Sequence, residues 1–196
     1  MEIGHRDPER RQLTTLFCDM VDSAALASRL DPEDLREVMQ AYLDDCATII
    51  AAFGGHVACY MGDGVLGFFG YPQARENAAE RAVHAGFRLL AMARERGAHT
   101  GLALQARVGV ATGLVVVGDK AHPDFAYGGA LPLAARLQSL AEPDTVFIAE
   151  GTRRLIGNLF ELRDLGLQSV KGFGAVRAWR DPARHARTYQ EHGWCG

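Results

Sequence analysis

The sequence lacks an excess of positive charge and any long apolar run, and each absence excludes a class of protein. Its 196 residues carry 21 Lys and Arg against 24 Asp and Glu, which gives a formal net charge of -3. A chain with this balance is not expected to bind nucleic acid through bulk charge. No apolar run approaches the roughly 18 residues of a membrane span. The charged segment 1–12 also lacks the apolar stretch of a secretory signal.

Cysteine is scarce, and its pattern excludes common metal sites. None of the four cysteines lies in a CxxC or zinc-type spacing. They are typical of reduced thiols in a cytoplasmic protein, and Cys59 is expected to be a small packing residue within a strand. With 48% hydrophobic residues, the chain has ample material for a core. We expect an N-terminal extension over residues 1–11, one domain over 12–180 and a polar tail over 181–196.

Two short acidic motifs are the most informative feature of the chain. An apolar run that begins at Leu13 ends in Asp19, and the tripeptide Gly62-Asp63-Gly64 lies between two apolar stretches. The first pattern predicts a strand with a carboxylate at its tip, and the second predicts a tight hairpin that carries another. Mg²⁺ binds a few carboxylate oxygens and keeps positions for water and substrate phosphates. Such a pair on adjacent strands can hold two metal ions about 4 Å apart for phosphoryl chemistry.

The spacing of apolar residues predicts the order β-α-β-β-α-β for the first half of the chain. Ser23 is expected to be the N-cap of a short helix, and Asp31 that of a longer one. The predicted elements are a strand at 13–19, a helix at 32–53, strands at 56–61 and 65–69, a helix at 76–96 ended by Gly97, and strands at 106–111 and 114–117 separated by a turn at 112–113. This order is typical of a ferredoxin-like α+β core with its helices on one face of the sheet.

The second half of the chain is predicted to extend this core. A polar loop over 118–129 is followed by helices at 133–140 and 150–156, a strand at 145–148, and closing strands at 160–170 and 176–179.

Five segments of the chain resemble the catalytic domain of class III adenylate and guanylate cyclases. They are residues 16–21, 60–66, 107–113, 133–137 and 170–173, and they occur in the family's order with similar spacing. The resemblance extends over roughly residues 12–180. It implies the α/β (α+β) fold of that family, in which the ferredoxin-like core is extended. It also implies a head-to-tail homodimer with two equivalent sites.

The resemblance further implies a reaction and a set of metal ligands. In this family the ribose 3′-hydroxyl of a nucleoside triphosphate attacks the α-phosphate and releases pyrophosphate. Asp19 and Asp63 correspond to the metal ligands, and the carbonyl of Met20 is a further candidate. The expected cofactor is Mg²⁺ or Mn²⁺, with two ions in each site.

Three other positions match phosphate-binding groups of the family. Arg136 corresponds to the arginine that stabilises the α-phosphate in the transition state. Lys171 corresponds to a lysine that contacts the terminal phosphates. Ser23 lies in the turn that wraps the triphosphate in the family, although Asp22 and Ala24 on either side depart from the usual pattern.

The positions that read the base and orient the ribose differ from the family. Cys59 replaces the purine-selecting lysine, four residues before the second metal aspartate. Pro132 replaces the asparagine that lies four residues before the transition-state arginine. The remaining base-reading position corresponds to Phe125, or to Asp124 if the register of the preceding loop shifts by one residue. Loss of base-reading hydrogen-bonding groups is expected to change base selectivity, and to affect the reaction at the phosphates less.

Two functions are therefore considered for the sequence. The first is a cytoplasmic nucleotidyl cyclase with non-standard base selectivity, whose partners are a nucleoside triphosphate and a second copy of the chain, without nucleic acid or membrane. The second is a catalytically degenerate relative that binds a nucleotide or a partner and acts as a regulatory module. Related chains often carry further domains, so the chain is also considered as the cyclase part of a longer signalling protein.

Overall fold

A single mixed sheet forms the centre of the computed structural model, which describes residues 9–118 and 126–181. Its elements are β1 Glu9–Met20, α1 Ser23–Ala27, α2 Pro32–Ala52, β2 Gly55–Met61, β3 Gly64–Phe69, α3 Ala78–Thr100, β4 Ala106–Val117, β5 Ala126–Tyr127, α4 Ala130–Leu140, β6 Thr145–Ala149, α5 Glu150–Ile156, β7 Arg163–Val170 and β8 Gly174–Arg180. The strand order is β2-β3-β1-β4-β6-β8-β7, and β5 pairs with β4.

The ferredoxin-like core predicted from the sequence is confirmed. The first four strands lie in the order β2-β3-β1-β4, and α2 and α3 are the two crossover helices. The pairs β1–β3, β1–β4 and β2–β3 are antiparallel, whereas β6 joins β4 in parallel. The short helix α1 is inserted before α2, and Asp22, rather than the predicted Ser23, occupies its N-cap position.

The two faces of the sheet carry separate hydrophobic cores. Because successive side chains of a strand alternate between faces, Leu16 and Cys18 of β1 pack with α2 and α3. Leu13 and Phe17 instead pack with α4. The core helices therefore share one face as expected, and α4 covers the opposite face, which is also the face of Asp19.

β1 and β4 pair along their whole length of 12 residues. The turn predicted at residues 112–113 is therefore wrong. Thr112 lies opposite Thr14, and their hydroxyl groups are 2.9 Å apart. The strand continues through Gly113 because the antiparallel ladder with β1 continues past it, with Gly113 opposite Leu13.

The long helix α3 does not end at Gly97 as predicted. It continues to Thr100, and Gly101 follows with a φ of 71°. A Cβ at Gly97 would lie 2.6 Å from the carbonyl oxygen of Leu102, so glycine is needed there for close approach of the returning chain. Of the helices in the two described ranges, none combines the length and apolar character that a membrane span requires.

The three cysteines within the described residues are free thiols. Cys18 and Cys46 are fully buried, and the Cys18 sulfur lies 3.4 Å from the hydroxyl of Tyr42. Burial is the largest cause that raises the pKa of Tyr42. The predicted packing role of Cys59 is wrong, because Cys59 lies on the edge strand β2 and is exposed.

The helix α4 lies directly against β4 at Gly109. A Cβ at this position would be 2.1 Å from the carbonyl oxygen of Ala134 and 2.5 Å from the backbone nitrogen of Gln138. Real Cβ atoms do not approach backbone so closely, so any larger residue would displace the helix. Gly109 therefore fixes how near α4 comes to the sheet.

We predict that Gly109→Ala lowers the free energy of unfolding by about 1–3 kcal/mol, the usual cost of overpacking. Gly113→Ala on the same strand is the control, because its Cβ would meet the Cβ of Ala130 at an ordinary 3.4 Å. Urea unfolding of both variants measures the difference. Equal stability of the two variants would contradict the close packing of α4 on β4.

Candidate active site

Asp19 lies near the end of β1, directly opposite Arg107 of β4. The Nη2 atom of Arg107 is 3.4 Å from Oδ2 of Asp19, which forms a loose ion pair. The same oxygen accepts a hydrogen bond of 3.1 Å from Nε2 of Gln138 on α4. Three elements of the fold therefore meet at this carboxylate.

Asp63 reaches the same place from the tip of the β2–β3 hairpin. Met61 pairs with Gly64, so Gly62 and Asp63 form a two-residue loop, and Gly62 has a φ of 64° that suits glycine. Gly64 lies tight against β1, because a Cβ there would be 3.0 Å from the ring of Phe17. The predicted hairpin thus delivers its acid beside the end of β1.

The proximity of the two acids is reflected in the protonation of Asp19. Its pKa is raised to about 6, first by burial and then by the charge of Asp63 and a hydrogen bond with it. Arg107 and Gln138 act in the opposite direction and lower that pKa. The site therefore concentrates negative charge that its own cationic and amide partners offset only in part.

The two acids form a donor set that suits a hard divalent cation. Carboxylate oxygens are the ligands that Mg²⁺ prefers, and a cation between two such groups would relieve their repulsion. Within residues 9–118 and 126–181, no group of three His, Cys, Asp or Glu side chains is placed to hold a metal. A site with two protein carboxylates leaves coordination positions for water and substrate phosphates.

Met20 and Ser23 follow Asp19 along the chain. The side chain of Met20 is 2% exposed and packs in the core on the α2–α3 face, so only its carbonyl is a candidate ligand. Ser23 is the first residue of α1 and is half-buried. Asp22, which precedes it, is exposed with a φ of 53°, an uncommon conformation for a residue other than glycine.

Arg136 and Lys171 are exposed within the single chain. Arg136 lies on α4 two residues before Gln138, which places the two side chains about 200° apart around the helix. Gln138 faces the sheet and Asp19, and Arg136 faces solvent. Lys171 lies in the turn between β7 and β8. Among the described residues, the cation that pairs with Asp19 is Arg107 and not either of these two.

Two of the altered base-pocket positions are described in the structure. Cys59 is exposed on β2, and Pro132 is exposed in the first turn of α4. Neither side chain offers a strong hydrogen-bonding group. Asp124 and Phe125, the alternatives for the remaining base-reading position, lie outside the described residues.

The contacts of Arg107 and Gln138 with Asp19 were not predicted from the sequence. Arg107 is part of a motif that carries the family resemblance, but its pairing with Asp19 depends on the register of two distant strands. Gln138 is only 3% exposed. One feature of the sequence does point to Gln138. It lies four residues after Ala134 on the buried stripe of α4, where an apolar residue is expected.

Comparisons with known proteins show the family to which the chain belongs. The model of the adenylate and guanylate cyclase catalytic domain matches residues 6–189. An adenylate cyclase of Glutamicibacter nicotianae is 32% identical over 83% of this chain and 37% of its own length. An uncharacterised protein of Rhizobium meliloti is 33% identical over 89% of this chain and 18% of its own length. The chain thus spans well under half of these curated relatives.

Solved structures agree with the fold. The adenylyl cyclase CyaB from P. aeruginosa superposes with a TM-score of 0.83 at 29% identity, over 91% of this chain and 98% of that one. The guanylyl cyclase Cya2 superposes with a TM-score of 0.80 at 28% identity, over 93% of this chain and 97% of that one. Similar structures therefore include both an adenylyl cyclase and a guanylyl cyclase.

We predict that Asp63→Asn stabilises the metal-free protein at pH 8 by about 1 kcal/mol, because it removes repulsion of Asp19. The folded pKa of Asp19, about 6, lies above its ordinary value of 3.8. The penalty for ionising Asp19 is therefore absent below about pH 4, grows between the two values and is complete above pH 6.

Thermal unfolding in EDTA at pH 8 and pH 4 measures this effect. Asp44→Asn is the matched control, because Asp44 is an exposed acid on α2 whose carboxylate is described with one hydrogen bond, which it accepts from Gln40. A lower melting temperature for Asp63→Asn than for the control at pH 8 would contradict the repulsion.

Proposed function

The chain belongs to the family of adenylate and guanylate cyclase catalytic domains, and we propose that it is a nucleotidyl cyclase. It would convert a nucleoside triphosphate into a 3′,5′-cyclic nucleotide and pyrophosphate. In this reaction the bond between the ribose O3′ and the α-phosphorus forms, and the bond from that phosphorus to the bridging oxygen breaks. The proton of the 3′-hydroxyl is lost to the medium.

The proposal depends on one observation: Asp19 and Asp63 lie on neighbouring elements at one end of the strands. The pair supports a site for two ions of Mg²⁺ or Mn²⁺, with the Met20 carbonyl as a further ligand. When bound, such ions neutralise phosphate charge and lower the pKa of the attacking hydroxyl. In the proposal, the two carboxylates hold the ions and, through them, orient the triphosphate.

Arg107 is proposed to bind a phosphate beside these acids. Its side chain is 28% exposed, its Nε is buried, and its described contact with Asp19 is a loose one of 3.4 Å through Nη2. A guanidinium group with donors left over matches phosphate oxygens well. Ser23, at the start of α1, is proposed to donate to the triphosphate from the side of β1.

Arg136 and Lys171 are proposed to reach the phosphates from a second copy of the chain. Both are exposed, and Arg136 faces away from the acids of its own chain. A head-to-tail homodimer brings such residues to the partner's site and forms two equivalent sites. There Arg136 would stabilise the charge that develops on the α-phosphate.

Base selectivity is proposed to be non-standard. Cys59 and Pro132 provide no strong hydrogen-bonding group where the family reads a purine and orients the ribose. We expect slow turnover of purine nucleotides or acceptance of an unusual base. Because nucleoside triphosphates are the substrate, we place the reaction in the cytoplasm.

The second candidate is a regulatory module that binds a nucleotide without turnover. Pro132 favours it, because a ribose bound at that exposed position would find no side-chain amide to orient it. Calorimetry distinguishes the two functions. Binding of nucleotide with no cyclic product supports the module, and cyclic product from any nucleotide excludes it.

We predict cyclic product when the purified protein is incubated with Mn²⁺ and one of ATP, GTP, CTP or UTP. Chromatography with mass detection measures product. Asp63→Asn is expected to lower the rate at least about 100-fold, the order seen when an electrostatic group is removed from an active site. Asp44→Asn is expected to retain the wild-type rate. No product from any of the four at high protein concentration would contradict the proposal.

A second prediction tests the proposed dimer. Asp63→Asn and Arg136→Ala are each expected to be nearly inactive alone. A mixture of equal amounts is expected to recover about a quarter of the wild-type rate, since half of the dimers are mixed and one of their two sites is intact. A mixture as inactive as its parts would contradict a site built from two copies.

A further inference from the structure

Gln138 is a buried amide that contacts the candidate metal site from α4, the helix on the Asp19 face of the sheet. Its side chain belongs to α4, whereas Asp19 belongs to β1, and the two residues are 119 positions apart. Its Nε2 donates to Oδ2 of Asp19 at 3.1 Å, and Gln138 is 3% exposed. An ionised carboxylate only accepts hydrogen bonds, so the amino group of the amide must face Asp19.

The backbone of Gln138 is held in a fixed position relative to the sheet. The close approach of α4 at Gly109 leaves no room for a Cβ between the strand and the backbone nitrogen of Gln138. The side chain therefore starts from a point anchored on β4 and reaches across to the neighbouring strand β1. A donor placed in this way has little freedom to follow a carboxylate that moves.

Besides its hydrogen bond with Asp63, Asp19 accepts one from Gln138 and one from Arg107, and both of these end on Oδ2. The bonds from Gln138 and Arg107 hold that oxygen toward α4 and β4. The two donors differ in one important respect. Arg107 is charged and 28% exposed, so a bound phosphate would compete with Asp19 for its donors. The amide of Gln138 is neutral and buried, so it would keep its hydrogen bond to Asp19.

We propose that Gln138 is a positioning residue that orients the Asp19 carboxylate for a divalent cation. The inference rests on the proposed cyclase function, because it concerns the same metal site. Partners of metal ligands typically change metal affinity or activity by 10–100-fold when they are removed. In the alternative, purely structural role, the hydrogen bond to Asp19 would only satisfy the buried amide of Gln138 and would not affect metal binding.

The test is a titration of the full chain with Mn²⁺ alone, followed by thermal unfolding. Gln138→Met keeps the length and packing of the side chain but removes the donor. We expect its apparent affinity for Mn²⁺ to fall about tenfold. In the activity assay we expect a higher Mn²⁺ requirement, with most of kcat restored at saturating metal.

The matched control is Gln105→Met. Gln105 also donates from Nε2 to an aspartate, Oδ2 of Asp144, at 2.9 Å. The same chemical change is made there on a carboxylate outside the proposed site. The control is expected to keep the wild-type affinity for Mn²⁺. Gln138→Asn is the second variant if Gln138→Met does not fold, because it retains the amide but withdraws it by one carbon.

Asp63→Asn in the same titration separates this inference from the proposed function. If Mn²⁺ stabilises the wild type but not Asp63→Asn, the proposed metal site is supported. Within that result, unchanged metal affinity in Gln138→Met or Gln138→Asn overturns the positioning role, and so does an equal loss in Gln105→Met. If Mn²⁺ does not stabilise the wild type, the metal site fails first, and the inference fails with it.

Discussion

The pairing of β1 with β4 over 12 residues is the interaction on which the rest of the structure depends. It places Asp19 opposite Arg107 at one end of the sheet and brings both hydrophobic cores onto the same two strands. Since a slip of one residue would turn every side chain of β1 to the opposite face, this register also decides that Asp19 points toward α4. The continuous ladder explains why Gly113 does not turn the chain.

The chemistry of the site follows from a local excess of negative charge on this scaffold. Asp19 and Asp63 lie close enough that the first holds its proton more tightly than an ordinary aspartic acid. A structure selected only for stability would not keep two acids together at the edge of its core. Such strain at the end of a strand is common where a bound cation or substrate repays it.

Local patterns in the sequence were sufficient for the core and for the two acids. An apolar run that ends in Asp19 and a Gly-Asp-Gly hairpin each describe a few adjacent residues, and both were found as predicted. Arg107 and Gln138 were missed because their contacts with Asp19 join residues 88 and 119 positions apart. The end of α3 was also misjudged, because Gly97 serves close packing against the returning chain rather than the end of a helix.

The helix α4 has a consequence for how two sites in a dimer would communicate. One face carries Gln138 against Asp19 of its own chain, and the opposite face carries Arg136, which is proposed to serve the other copy. A displacement of the whole helix would move both groups together. In the proposed dimer, a displacement of α4 at one site would therefore also displace a group that serves the other site.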